Sequence, residues 1–156
     1  MSAIKYIEGD ILTAKTDAIL QQVNCRGVMG AGLAKQIRTK YPYVYNRYLS
    51  LCNEHVTKPY FLLGRIQVIT PPSCEYDVPT IVNLFAQDRY GRDRQYTDYD
   101  AMRECFRRVN ERFAGDSVAI PYGIGCGLAG GDWDIVLNMI EKELTKCDIS
   151  IYRFQK

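Results

Sequence analysis

Two glycine-rich stretches carry most of the chemistry this sequence can offer. One is NCRGVMGAGLAKQI, residues 24–37; the other is PYGIGCGLAGGDW, residues 121–133. Each glycine loses more conformational freedom on folding than any other residue. Concentrating them favours a backbone shape that other residues resist, or a backbone bare enough for a ligand to touch. Exposed N–H groups on such a backbone suit an anion, and phosphate is the first candidate. Two loops of this kind in one chain suggest one shared ligand, a diphosphate clasped from both sides. The spacing matches neither the dinucleotide fingerprint G-x-G-x-x-G nor the Gly-Lys-Ser/Thr ending of a P-loop.

Other chemistries have little material. His55 is the only histidine and sits in the polar stretch LCNEHVTK, where a surface position is expected. A zinc site with two or more histidines is therefore excluded, and a Ser-His-Asp or Cys-His arrangement has no support. The six cysteines (Cys25, Cys52, Cys74, Cys105, Cys126 and Cys147) form no C-x-x-C pair and read as reduced thiols. Cys126, inside the second loop with no histidine to activate it, reads as a small buried filler.

The elements that must position the loops alternate between strand and helix. AIKYIEGDI alternates and breaks at Gly9-Asp10, and DAILQQVN delivers Asn24 at a strand end. GLAKQIRTKY has Leu33, Ala34, Ile37 and Tyr41 at helical spacing, and Pro42 ends or kinks that helix. YVYNRYLSLCNE predicts a second helix. LLGRIQVIT and PTIVNLFAQ predict strands on either side of the turn-rich PPSCEYDV. After the polar loop DRYGRDRQYT, Thr97 is the expected cap of a helix whose apolar face is Met102, Cys105, Phe106, Val109 and Phe113. DSVAIP runs as a short buried strand into the second glycine loop. A helix then starts near Trp133 with Val136, Ile140 and Leu144 on one face, and DISIYRF closes the pattern as a strand. This order predicts an α/β layer fold with a largely parallel sheet, with ligands bound off the carboxyl ends of its strands.

The composition sets bounds. A chain of 156 residues, 47% hydrophobic and 24% charged, reads as one domain over 1–156. A net charge of +2 exerts no strong pull toward nucleic acid or membrane. The twelve tyrosines suit half-buried strand positions better than base stacking. The start MSAIKYIEGD is not a secretory signal, and no apolar run reaches the roughly 20 residues needed to span a bilayer. The expectation is a cytoplasmic monomer without membrane, metal or cofactor.

EGDIL, the strand and loop QQVNCRGVMGAGLAKQI, and IPYGIGCGLAGGDW, in that order and spacing, resemble the macrodomain family over nearly the whole chain. The GxMGxGxA form of the first loop is similar to the branch holding protein-directed and DNA-directed ADP-ribosyl glycohydrolases and ADP-ribose 1″-phosphate phosphatases. The resemblance implies a three-layer α/β/α sandwich with a mixed, largely parallel sheet, and it implies ADP-ribose or an ADP-ribosylated macromolecule as partner. It assigns Asp10 and the Ile11 N–H to adenine and Tyr152 to a stack against it. It assigns Asn24 to the distal ribose. Gly30, Ala31, Gly32 and Leu33 run along that ribose and the diphosphate. Gly123, Ile124, Gly125, Cys126, Gly127 and Leu128 form the second phosphate loop.

The sequence departs from the glycohydrolase pattern in two places. Gln87 stands where those enzymes carry a lysine, and glutamine forms no Schiff base. Ala129 stands where the protein glycohydrolase has an acid after its GCGL. Asp132 is then the nearest carboxylate, either an acid orienting water near the anomeric carbon together with Asn24, or the N-cap ahead of Trp133. Asp88 and Tyr90 follow Gln87 closely enough to face the distal ribose. Two functions fit: a binding module that hydrolyses at the distal ribose, or a non-catalytic reader of ADP-ribosyl groups. RNA binding is weaker, because no basic stripe is visible.

Overall fold

The computed structural model of the chain describes residues 4–73 and 78–154; Cys74 lies outside them. One six-stranded sheet organises the chain, in the order β1-β6-β5-β2-β4-β3. Its strands are β1 (Lys5–Glu8), β2 (Ala18–Asn24), β3 (Ile66–Ile69), β4 (Ile81–Gln87), β5 (Ser117–Pro121) and β6 (Asp148–Arg153). All neighbours pair in parallel except β3, which runs antiparallel against β4 at the edge. The helices are α1 (Gly32–Lys40), α2 (Pro42–Asn53), α3 (Tyr99–Arg112) and α4 (Trp133–Glu143).

The sandwich follows from side-chain alternation along the central strands. On β2, Ile19 and Val23 turn to one face and meet Ile37 of α1 and Val44, Tyr48 and Cys52 of α2. Ala18 and Leu20 turn to the other face and meet Met102, Phe106 and Val109 of α3 and Val136 and Ile140 of α4. β4 is buried along its whole length, as a strand covered on both faces must be. Pro42 does not kink a helix. It opens α2 at the first helical position, where its missing N–H and fixed φ do no harm.

Two boundaries differ from expectation. β3 begins only at Ile66, because Pro59–Leu62 forms a 3-10 turn and Gly64 bends the chain at φ +84°. The cap of α3 is Asp98, whose carboxylate accepts from the Ala101 N–H at 3.0 Å. Thr97 beside it points its hydroxyl elsewhere, to the Gly125 carbonyl.

The sheet order locates the crevice. From β2 the chain leaves to α1 on one face; from its neighbour β5 it leaves to α4 on the opposite face. Adjacent parallel strands whose connections diverge leave an opening beyond their carboxyl ends. Both glycine loops begin there.

Candidate functional site

α1 has no side chain at its N-terminus to cap it. Its N-cap is Ala31, in extended conformation, and the first N–H to find a helical partner is that of Lys35, 3.2 Å from the Ala31 carbonyl. The N–H groups of Gly32, Leu33 and Ala34 are thus left open, at the positive end of a helix.

The second loop is arranged differently. Its carbonyls turn inward and its N–H groups remain. The Gly123 carbonyl accepts from Cys126 at 2.8 Å, Gly127 from Gly130 at 3.0 Å, and Ala129 from both Tyr96 at 2.7 Å and Thr97 at 3.1 Å. The Gly125 carbonyl accepts from the Gly131 N–H at 2.8 Å and the Thr97 hydroxyl at 2.6 Å. Among the described residues, the N–H groups of Gly123, Gly125, Gly127, Leu128 and Ala129 have no hydrogen-bond partner. Only glycine serves at two points. A Cβ at Gly125, where φ is +74°, would lie 2.7 Å from Gln22 Oε1 and 2.8 Å from Met102 Cε. A Cβ at Gly131 would lie 2.6 Å from the Gly125 carbonyl oxygen.

These two sets of donors share a groove. A cavity of about 380 Å³ is lined on one side by residues 31–34 and on the other by Gly123, Ile124, Gly125, Gly127, Leu128 and Ala129. It continues into a second cavity of about 350 Å³, and Gln22, Ala31, Ala34, Gln87, Leu128 and Ala129 border both. The second cavity runs past Asn24 and Gly30 to Tyr90, Gly91 and Arg92.

Asn24 is held firmly. Its Oδ1 accepts from the N–H groups of Arg26 at 2.9 Å and Val28 at 3.3 Å, and its Nδ2 donates to the Val28 carbonyl at 2.8 Å. The Tyr48 hydroxyl lies 2.6 Å from its carbonyl and 2.8 Å from Oδ1. Burial pushes the Tyr48 phenol far above its usual range, so it stays a proton donor. Asn24 therefore builds the turn of residues 24–28 where the chain borders the cavity.

Gln87 is also fixed. Its Nε2 donates to the Arg89 carbonyl at 2.8 Å, and its Oε1 accepts from Gln22 Nε2 at 2.8 Å. Asp88 does not face the cavity as a free acid; it grips the Arg26 guanidinium through two bonds of 3.0 Å. Tyr90 borders the cavity and is 55% exposed.

Asp132 is the cap of α4. Its Oδ1 accepts from the Asp134 N–H at 2.9 Å, the residue is exposed, and it borders neither cavity. Of the two readings of Asp132, the structure shows the cap. The Cys126 thiol donates to the Ile124 carbonyl at 3.4 Å. Burial, then the Asp132 charge, pushes it up to about 11, so it is a neutral thiol rather than a nucleophile. His55 is half-buried, with Nδ1 3.0 Å from the Leu51 carbonyl. Among the described residues, no cluster of three metal-ligating side chains occurs.

The residues assigned to adenine lie on the same sheet edge but outside the lining of both cavities. Tyr152 pairs with Pro121 and Ile7 across the sheet, and its carbonyl accepts from Tyr122 at 2.8 Å. The Asp10 carboxylate accepts from the Leu12 N–H at 2.9 Å and caps the 3-10 turn Ile11–Thr13, where Ile11 is buried. Gln22, Tyr48 and Arg92 were not singled out from the sequence, and Thr97 only as a helix cap. A pair of glutamines in an otherwise buried strand was the available signal for Gln22. Tyr48 reads as one more apolar helix position.

Comparison with known proteins agrees with this geometry. The Macro domain family model matches residues 21–140. An ADP-ribose 1″-phosphate phosphatase of Meyerozyma guilliermondii is 31% identical over 107 residues, covering 63% of this chain and 61% of that protein. A DNA ADP-ribosyl glycohydrolase of Mycobacterium tuberculosis is 33% identical over 135 residues, covering 85% of this chain and 36% of that protein. The chain thus spans less than two thirds of the length of either relative. The macrodomain of Mycobacterium tuberculosis DarG superposes with a TM-score of 0.76 at 28% identity, over 97% of this chain and 98% of that one. With a family model matched over most of its length, a mixed sheet in this order and two open glycine loops at its crevice, the chain belongs to the Macro domain family.

Proposed function

We propose that the groove binds the ADP-ribosyl group and that the chain acts first as an ADP-ribose-binding module. One observation carries this reading: N–H groups of the α1 N-terminus and of Gly123, Gly125, Gly127, Leu128 and Ala129, unpaired among the described residues, border one groove. A diphosphate is the anion that reaches both sets at once. Each bond it accepts is charge-assisted, and so about twice as strong as a neutral one. On this reading the distal ribose lies at the junction of the cavities, beside Asn24, Gly30, Ala31 and Gln87. Adenine extends the other way, toward Asp10, Ile11 and Tyr152.

Hydrolysis at the distal ribose is the second reading. The names of the relatives favour it, as does the cavity that continues past Asn24. That cavity has room for a group on the anomeric carbon, and Arg92 forms no ion pair among the described residues. Against it, no carboxylate, histidine or lysine among the described residues borders either cavity. Turnover would rest on water positioned by backbone and amide groups.

The two readings separate in one panel. The protein is incubated with ADP-ribose 1″-phosphate, ADP-ribosylated protein and ADP-ribosylated DNA, and binding of ADP-ribose is measured by calorimetry in parallel. Micromolar binding, about −8 kcal/mol, without turnover leaves the module. Turnover of one substrate makes it a hydrolase. Absence of ADP-ribose binding removes both.

A further inference from the structure

The hydroxyl of Thr97 has one proton, and its neighbours dictate where that proton goes. Gly125 offers a carbonyl oxygen at 2.6 Å, which can only accept. The Gln22 atom at 2.9 Å must then be the donor, Nε2. The other Nε2 hydrogen of Gln22 goes to Gln87 Oε1, and Gln87 Nε2 goes to the Arg89 carbonyl. The bonds run outward from Gln22 in two branches, one through Thr97 to the Gly125 carbonyl and one through Gln87 to the Arg89 carbonyl. Gln22 Oε1 is left buried without a partner among the described residues, against the underside of Gly125.

Thr97 also holds the loop by its backbone, since its N–H donates to the Ala129 carbonyl at 3.1 Å. Thr97 is 3% exposed and belongs to neither cavity lining, so it touches no ligand in the groove. We propose that Thr97 is a positioning residue for the second glycine loop. By drawing the Gly125 carbonyl inward it fixes the loop in the shape that leaves the N–H groups of Gly125, Gly127, Leu128 and Ala129 free for a diphosphate. Gln22 orients the hydroxyl for that task. The inference rests on the reading of the groove as an ADP-ribose site, and it predicts a binding defect from a residue outside the groove.

The test is calorimetric titration of the unmodified protein, Thr97→Val and Thr97→Ser with ADP-ribose, with a thermal melt of each. Valine keeps the shape and removes the hydroxyl; serine keeps the hydroxyl. Thr97→Val should weaken ADP-ribose binding by roughly tenfold or more, about 1.4 kcal/mol, and Thr97→Ser should bind within about threefold of the parent. If Thr97→Val does not fold, Thr97→Ala removes the same hydroxyl and carries the same expectation. Valine or alanine at parental affinity overturns the proposal, as does serine binding no better than valine. Failure of the unmodified protein to bind ADP-ribose is a separate result. It removes the reading of the groove, and the proposal with it.

Discussion

The N-termini of α1 and α4 begin from equivalent places, each after a glycine loop at the carboxyl end of a parallel strand, yet they are finished in opposite ways. α4 is closed by its own Asp132, which takes the Asp134 N–H and puts a negative charge where an external anion would sit. α1 opens on Ala31, which offers no side-chain acceptor. On the proposed reading, the anion site on the α1 side is therefore a helix end. On the α4 side it is the loop ahead of the helix, where carbonyls are turned inward and N–H groups are free. Two glycine loops that look alike in sequence thus expose two different kinds of donor.

The comparison breaks most visibly at Gly125. Gly125→Val should abolish ADP-ribose binding, a loss beyond about 100-fold, because the branched side chain meets Gln22 and Met102 at a positive φ and displaces the loop. Calorimetry beside circular dichroism checks that binding is lost while secondary structure is kept. Unchanged affinity in the folded variant would make this loop only a turn.

Ala31→Asp makes α1 resemble α4. The backbone at residue 31 is already extended, as a cap requires, so the new carboxylate should raise stability by about 0.5–2 kcal/mol. It should also weaken ADP-ribose binding by roughly 30-fold or more, since it occupies the helix N–H groups and repels the ligand. Opposite movement of melting temperature and affinity is the signature to look for.

Asp132→Ala performs the converse change. Loss of the cap should cost about 1 kcal/mol of stability and leave ADP-ribose affinity within about twofold. A large loss of turnover without loss of stability would restore Asp132 as a catalytic acid. The smallest effect belongs to Cys126→Ala, within about twofold in affinity, because the neutral thiol supplies packing and one weak bond. A thiol held near 11 should also alkylate slowly at neutral pH and faster only as pH rises toward that value.

Much of this was legible from sequence because it is local. Strand alternation, helical spacing and the two glycine runs located the sheet, the helices and the crevice. What stayed hidden depends on contacts between distant segments. Thr97 and Asp98 are both good capping residues in sequence. The choice fell to Asp98 because the Thr97 hydroxyl is engaged by Gly125, 28 positions away. The partners of Gln22 lie 65 and 75 positions away, and no local pattern announces them. Asp132 was legible as a cap and as an acid alike; its bond to the Asp134 N–H shows the cap, and turnover by Asp132→Ala tests the acid.

The central claim is that free backbone N–H groups of both loops receive the ligand, and it is tested most directly by following amide resonances during an ADP-ribose titration. The account predicts that the largest downfield proton shifts fall on Gly32 and Leu33 of the first loop and on Gly125, Gly127 and Leu128 of the second, moving together with one affinity. Shifts confined to one loop, or concentrated around Tyr90 and Arg92 while the glycine amides stay still, would contradict it.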